Sequence, residues 1–244
     1  MKKKPPSYKQ LAAAFACFDP PVRCLLRIHP TAHESTPKPD ADKTRTSGDS
    51  GAQRWLPCRR MTYFSVDVET SGLVPGRHTL LSVGVVELTS DAEFYAVLDH
   101  RDEFGASRIE WDANTLEWFQ GQSEAFEHLF SSDTERYKPV DVAAWLSHWV
   151  TSFPAPRTFV AWPVSFDKPW LDILFHDTGV DNPFDYRSVD IKSWICGRFG
   201  GGPEVGRDDL PEAAQALYIE ADFPHHALSD ARAQADTMRR LLAL

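Results

Sequence analysis

The chain has 244 residues, of which 42% are hydrophobic and 25% are charged, and its formal net charge at pH 7 is −9. This composition excludes a collagen, a low-complexity chain and a disulfide-rich scaffold. The longest fully apolar run, residues 11–18, is too short to cross a bilayer, so no membrane association is expected. The four cysteines form no CxxC pair, which predicts neither a zinc site nor a disulfide framework and fits a reducing cytoplasm.

Residues 1–60 differ from the rest of the chain in charge. They hold 12 basic and 5 acidic residues, a balance of +7, whereas the other 184 residues hold 14 basic and 30 acidic, a balance of −16. Residues 31–53 contain almost no apolar side chain and cannot bury enough surface to offset the entropy of ordering. We therefore predict a mostly disordered basic tail over residues 1–60 and a folded domain over residues 61–244.

Three other interpretations of the tail stay open. A basic start at residues 1–4 and the apolar run at 11–18 have the order of a secretory signal, although no small-residue cleavage site follows. The excess of basic residues also suits an arm that binds nucleic acid. Folded sequence begins directly after Met61, so a third hypothesis is that residues 1–60 are a gene-model artefact. A peptide from that segment in the native protein would contradict it.

From Met61 onward the sequence predicts one α/β domain that begins with strands. Segments rich in Val, Phe, Tyr and Leu and bounded by Gly and Pro are typical of buried strands. They lie at residues 63–69, 80–88, 93–98 and 157–162. The short turns between the first three indicate an antiparallel meander.

Helical spacing dominates the rest of the chain. Apolar residues at positions i, i+3, i+4 and i+7 predict one face of a helix over 142–153. Further helices are expected at 167–177, at 210–217 and at 228–242. Pro169 would lie in the first turn of its helix, where proline is tolerated.

Asp67 and Glu69 end the first predicted strand. Alternate residues of a strand share a face, so both carboxylates point the same way while Val68 points into the core. Adjacent carboxylates stay ionised together only beside a cation, and hard oxygen ligands favour Mg²⁺ or Mn²⁺. Alone, the pair is better explained as two solvated acids. Its position between a buried strand and a sharp turn favours a site.

Two further acids and a histidine follow along the chain. Asp167 comes just after the fourth strand, where it would ordinarily be an acid stabilised by the helix dipole. Asp230 lies in the first turns of the last helix, and His225 precedes that helix, where it could accept a proton from a water. Taken singly, Asp230 is better explained as a capping acid, and His225 with His226 as a surface pair.

Three motifs stand in order along the chain, Asp67-Val68-Glu69-Thr70-Ser71-Gly72, then Phe166-Asp167, then His225-x-Ala227-Leu228-x-Asp230-Ala231. In this order and context they resemble the DEDDh branch of the DnaQ-like 3′→5′ exonucleases, over about residues 63–242. A further motif, Thr115-Leu116-Glu117-Trp118-Phe119 followed by Gln122-Ser123, is similar to a bacterial subgroup of 3′–5′ exoribonucleases known from mycobacteria. Pro163 stands where much of the family has Asn, which changes the expected substrate contacts near that strand.

The resemblance implies an α/β fold of the ribonuclease H-like type: a central mixed five-stranded sheet, an antiparallel meander plus parallel strands, flanked by helices. It implies two divalent ions, Mg²⁺ or Mn²⁺, held by four carboxylates, Asp67, Glu69, Asp167 and Asp230. His225 would deprotonate the attacking water, with His226 only its neighbour. Asp172 and Asp190 are nearby acids that are not expected to be ligands; Asp190 should end a fifth strand or cap the next helix.

The expected substrate is the 3′ end of single-stranded nucleic acid, from which nucleoside 5′-monophosphates are released. The −16 balance of the folded part argues against long duplex binding, which needs a broad basic face. Bases in such sites stack on aromatic or apolar side chains. Candidate contacts are Thr70, Gly72, Leu73, Phe166 and Trp118, with Trp111 as a further one, although Trp111 and Trp118 serve equally well as core residues.

The subgroup likeness favours RNA over DNA, and relatives suggest a homodimer. Three alternatives are kept: a proofreading-type DNA exonuclease, a non-catalytic nucleic-acid-binding module on the same fold, and a structural Mg²⁺ or Ca²⁺ site. The last predicts metal-dependent melting without turnover, whereas the enzyme predicts both.

Overall fold

A computed structural model describes residues 61–202 and 206–244 of the chain. The predictions of a disordered tail, a secretory signal or a basic arm over residues 1–60 lie outside the described residues. The strands are β1 (Thr62–Thr70), β2 (Leu80–Glu87), β3 (Glu93–Val97), β4 (Arg157–Ala161) and β5 (Ser188–Asp190). They form one sheet in the order β3-β2-β1-β4-β5. β1, β2 and β3 are antiparallel, whereas β1, β4 and β5 are parallel, which confirms the predicted mixed five-stranded sheet.

Helices flank the sheet on both faces. They are α1 (Ala113–Gly121), α2 (Ser123–Phe130), α3 (Pro139–Thr151), α4 (Val164–Thr178), α5 (Ile191–Phe199), α6 (Glu212–Gln215) and α7 (Ala227–Leu242). The expected helices at 142–153 and 228–242 correspond to α3 and α7, while α1 and α2 were not predicted from the periodicity. Within the described part of the chain, no helix is long and apolar enough to cross a membrane.

The start of α4 differs from the prediction. The helix begins at Val164 rather than at residue 167, so Pro169 lies inside the helix and not in its first turn. Asp190 at the end of β5 satisfies the first backbone N–H of the helix, since its Oδ2 accepts from Val164 at 2.8 Å. Its Oδ1 accepts the N–H of Ser193 at 2.7 Å and caps α5. Asp190 therefore both ends the fifth strand and caps a helix.

The helix expected at 210–217 is shorter than predicted. A 3₁₀ turn at Arg207–Asp209 precedes it, and α6 itself has only four residues. Pro211 stands at the N-cap of α6. Proline disfavours a helical conformation for the residue before it, so a helix cannot run through this point from residue 210.

The two faces of β1 lie in different environments. Phe64, Val66 and Val68 pack into a cluster with residues of α3 and α4. The alternate residues of β1 face α7, which packs against β1 and β2. Val68 thus points into the core, as predicted, while Asp67 and Glu69 lie on the α7 side.

Candidate active site

Four carboxylates and one histidine line a single cleft of about 500 Å³. Asp67 and Glu69 come from β1, Asp167 from the first turn of α4, and Asp230 from the first turn of α7. The parallel pairing of β1 with β4 brings the start of α4 to the end of β1 that carries Asp67 and Glu69. Residues far apart in the sequence therefore meet at this edge of the sheet.

Asp67, Glu69 and Asp230 form the tightest group. Each offers a carboxylate oxygen, and these oxygens all lie within 4.8 Å of one another. Asp167 lies beside this triad, with its Oδ1 accepting the backbone N–H of Val68 at 3.2 Å. Asp167 is buried, with 2% of the residue exposed, and this hydrogen bond ties its side chain to β1.

Crowding makes these acids hard to ionise together. Removal from water, with the charges of Asp167, Glu69 and Asp230, raises the pKa of Asp67 well above its usual value. Burial and the charges of Asp230 and Asp167 raise the pKa of Glu69 to about 8. Burial also raises the pKa of Asp167 to about 7. The pKa of Asp230 is raised above its ordinary value for the same reason.

These residues fit a divalent cation. A positive ion would relieve the mutual repulsion and favour the ionised forms. The donor set consists of carboxylate oxygens, which suits Mg²⁺ or Mn²⁺. The side-chain oxygen of Gln234, in the cleft wall, is buried and has no hydrogen-bond partner among the described residues. A group with an O–H or N–H donor that binds in the cleft would satisfy this buried acceptor.

Gly84 in β2 determines how close α7 comes to the triad. Gly84 pairs directly with Asp67 across the sheet. A Cβ at Gly84 would collide with the backbone of Ala227 and Leu228. The missing side chain therefore lets α7 begin directly on the sheet and brings Asp230 beside Asp67. Gly84 was not among the residues predicted from the sequence, although a glycine inside an apolar strand is a signal of close backbone approach.

The two adjacent histidines point to different surroundings. His225 has a positive φ of 61° and lines the cleft. Its ring meets Trp118 edge-to-face, with the ring centroids 4.7 Å apart. This contact restricts the orientation of the His225 ring at the mouth of the cleft.

His226 packs into an aromatic cluster instead. Its ring stacks on Tyr95 at a centroid distance of 4.5 Å, and its Nε2 lies 3.1 Å from Nε2 of His128. The Nδ1 accepts the N–H of Ser229 as the N-cap of α7. Burial and the neighbouring His128 lower the pKa of His226 to about 4. His226 is thus engaged in holding the start of the helix.

The predicted substrate contacts fall into two groups: exposed or cleft-lining side chains, and residues that shape the turn after β1. Phe166 lines the cleft, Trp118 is 47% exposed beside His225, and Leu73 is 71% exposed on the turn after β1. Thr70 is buried, and its hydroxyl donates to the carbonyl of Gly72 at 2.8 Å. These two residues shape the turn, since a Cβ at Gly72 would collide with the ring of His78.

Trp111 belongs to the core rather than to the cleft. It packs against Phe119, Phe126 and Phe130, with ring centroids 5.9–6.5 Å apart. Of its two possible roles, the structure supports the one in the core.

Several residues of the cleft were not expected. Trp162, Tyr218 and Lys192 line it, with the rings of Trp162 and Tyr218 only 4.5 Å apart between centroids. Gln234 donates from Nε2 to Oδ1 of Asp67 at 2.7 Å. A local signal for Gln234 was present, because it follows Asp230 by four residues and so lies on the same helix face.

Comparison with known proteins shows that this chain is similar to nucleases. The model of the 3′-5′ exoribonuclease Rv2179c-like domain matches residues 62–242. The 3′-5′ DNA exonuclease Cap18 of Escherichia coli is 31% identical over 182 residues, which are 72% of this chain and 89% of that protein.

Solved structures show the same fold at low identity. E. coli exonuclease I in complex with a dT13 oligonucleotide aligns with a TM-score of 0.54 and 15% identity, covering 75% of this chain and 41% of that one. The complex with a dA16 oligonucleotide gives a TM-score of 0.51 and 18% identity over 75% and 41% of the two chains. The likeness confirms the expected ribonuclease H-like fold.

Proposed function

Because the chain belongs to the Rv2179c-like 3′-5′ exoribonuclease domain family, we propose that its cleft hydrolyses the last phosphodiester bond at the 3′ end of single-stranded RNA. The products are a nucleoside 5′-monophosphate and a strand shorter by one nucleotide. The observation that carries this proposal is the meeting of Asp67, Glu69, Asp167, Asp230 and His225 in one cleft.

The carboxylates hold two divalent ions, Mg²⁺ or Mn²⁺, in this proposal. Asp67, Glu69 and Asp230 bind through the oxygens that already lie close together, and Asp167 completes the set from α4. When bound, the ions lower the pKa of a water and offset negative charge on the leaving oxygen. The raised pKa values of Glu69 and Asp167 support this role, since a cation would compensate the burial and the neighbouring negative charges that raise them.

His225 acts as the general base. It accepts the proton of the attacking water, a role that a histidine can fill near neutral pH. Its place on the cleft wall and its contact with Trp118 support this assignment. His226 is a weaker candidate because its Nδ1 already caps α7 and because burial lowers its pKa to about 4, which makes the ring a weak base.

The walls of the cleft hold the end of the strand. Phe166, Trp162 and Tyr218 offer rings on which bases can stack. Lys192, in the same wall, faces the backbone phosphate, and Trp118 with Leu73 contacts the nucleotide from the rim. Only a few nucleotides are engaged, which agrees with the acidic balance of residues 61–244. A homodimer stays a prediction.

DNA is the second candidate substrate. The specific observation in its favour is the 31% identity with a protein named a DNA exonuclease. RNA and DNA differ by the 2′-hydroxyl, and an enzyme that prefers RNA must contact that group.

The test is a turnover assay with the full chain. The substrates are 5′-labelled RNA and DNA of one sequence, each with Mg²⁺, Mn²⁺ or EDTA, and Asp167→Asn is the inactive control. A metal-dependent ladder that shortens from the 3′ end is the expected result, with the RNA shortened faster. A faster DNA ladder would select the second substrate. No shortening of either strand by folded, metal-bound protein would refute the enzyme and leave a binding module.

A further inference from the structure

Gln234 links the last helix to the first strand at the acid cluster. It lies four residues after Asp230 on the same face of α7. Its Nε2 donates to Oδ1 of Asp67 at 2.7 Å, between residues that are 167 positions apart in the sequence. One face of α7 therefore carries both an acid of the triad and a donor to another acid of the triad.

The chemistry of an amide suits this position. Asp67 is surrounded by Glu69, Asp167 and Asp230, so another carboxylate would add repulsion. An ammonium group would compete with a cation for the same oxygens. A neutral N–H fixes one oxygen of Asp67 without adding charge.

The carbonyl oxygen of the Gln234 side chain provides a second observation. Oε1 of Gln234 is buried and has no hydrogen-bond partner among the described residues, although the side chain lines the cleft. A glutamine that served only to join α7 to β1 would gain nothing from an unsatisfied buried carbonyl. An O–H donor in the cleft, such as a water, would satisfy it.

We propose that Gln234 is a positioning residue for the cation site: its amide N–H holds one oxygen of Asp67, which leaves the second oxygen to bind the cation. Its carbonyl accepts a hydrogen bond from a water retained in the cleft. The inference rests on the proposed function, in which Asp67 is a ligand.

The experiment compares two variants with a matched control in the full chain. Gln234→Met keeps the length of the side chain and removes the donor, while Gln234→Glu keeps the shape and replaces the donor by a like charge. The control is Gln215→Met, because Nε2 of Gln215 donates to the backbone carbonyls of Asp208 and Leu210 and the residue lies outside the cleft lining. Mn²⁺ binding is measured by calorimetry without substrate, alongside melting in EDTA, kcat and KM.

Loss of a residue that orients a metal ligand typically weakens metal affinity by roughly 10–100-fold. We expect Gln234→Met to lose Mn²⁺ affinity and kcat in this range with KM nearly unchanged. Gln234→Glu should lose more kcat, because its carboxylate repels that of Asp67 instead of holding it. Gln215→Met should alter melting alone.

Two results would overturn the inference. Unchanged Mn²⁺ affinity and kcat in Gln234→Met, with only a lower melting temperature, would reduce the residue to a structural link. Tighter Mn²⁺ binding by Gln234→Glu would make position 234 a ligand site. Both results concern the variants and leave wild-type turnover intact. Failure of the proposed function would instead be seen in the wild type, as absent Mn²⁺ binding or absent hydrolysis. That failure would remove this inference as well.

Discussion

Gly84 lies so close to Ala227 that the backbone of the helix start occupies the space where a side chain of the strand would stand. Gly84 is also the direct partner of Asp67 across β1 and β2. The contact therefore sets the distance between the strand that carries Asp67 and the helix that carries Asp230. A packing feature of the sheet thus determines whether the carboxylates can share an ion.

Gly84→Ala should harm both stability and activity. The new Cβ meets backbone, which cannot rotate away, so α7 must shift. Overpacking of this kind costs about 1–3 kcal/mol, measured as the change in the free energy of unfolding by denaturant. The shift also separates Asp230 from Asp67 and should weaken Mn²⁺ binding.

Gly121→Ala is the control for that substitution. Gly121 ends α1, and a Cβ there meets nothing within 4 Å. Stability and turnover should stay near the wild-type values. Wild-type Mn²⁺ affinity in Gly84→Ala would show that the close approach does not determine the site geometry.

Asp167→Asn should nearly abolish hydrolysis and leave the fold intact. The amide oxygen can still accept the N–H of Val68, and the repulsion among the acids falls. The melting temperature in EDTA at pH 8 should therefore equal or exceed that of the wild type. Turnover is measured on labelled RNA and DNA.

Asp172→Asn provides the comparison on the same helix. Asp172 pairs with Lys168 at 2.8 Å on the partly exposed side of α4. Surface pairs of this kind contribute little to stability, and activity should be unchanged. Full activity of Asp167→Asn would remove that residue from the proposed ligand set.

The acids and the histidine could be found from the sequence because each stands in a short local motif. Asp67 and Glu69 follow a strand pattern, and His225 with Asp230 flanks a helix start. The structure places all of them in one cleft, while their roles stay predictions. Asp167 lies beside the triad rather than within it, a detail that spacing along the chain does not contain.

Other features depend on contacts between distant segments. The first N–H of α4 is capped by Asp190, 26 residues later, a contact that local spacing does not reveal. The hydrogen bond between Gln234 and Asp67 is likewise invisible in the sequence. Helix α1 is different, since Asp112 is an ordinary N-cap that accepts the N–H of Thr115 at 2.9 Å. That helix was missed although its signal is local.

His225→Ala should slow hydrolysis by roughly 10²–10⁴-fold while Mn²⁺ affinity changes little, since loss of a general base affects proton transfer and not the carboxylates. Single-turnover rates and calorimetry measure the two effects.

His226→Ala should instead lower stability. It removes the N-cap of α7 and the stacking on Tyr95, and loss of a cap costs about 1 kcal/mol. His226→Ala should slow turnover less than His225→Ala does. If His226→Ala proves the slower enzyme, the base has been assigned to the wrong histidine.

Trp118→Ala should raise KM for single strands by roughly tenfold, since stacking on an aromatic side chain contributes about 1–3 kcal/mol per base. Trp118→Phe should retain most of the affinity because a ring remains. Tyr186→Ala is the control, an aromatic residue that is 83% exposed and outside the cleft lining. Equal KM values for Trp118→Ala and Tyr186→Ala would mean that Trp118 does not contact the strand.

The contribution of Glu69 and Asp167 to the stability of the metal-free protein should fall as the pH rises from 5 to 8. His226 acts in the opposite direction below about pH 6.5, because its pKa is lowered in the folded chain. The pKa of Glu69 is about 8 and that of Asp167 about 7 in the folded chain, above their ordinary values of 4.5 and 3.8. Between those limits the folded protein holds protons that the unfolded chain has released, so each step to higher pH favours unfolding. Melting temperatures in EDTA at pH 5, 6, 7 and 8 measure this slope.

Mn²⁺ should counteract the loss, because it binds the ionised carboxylates and stabilises only the folded chain. The gain in melting temperature on adding Mn²⁺ should therefore grow with pH, and Asp167→Asn should show a flatter slope in EDTA. A melting temperature that rises with pH in EDTA, together with no Mn²⁺ effect at pH 8, would mean that the four acids do not form a coupled cation site.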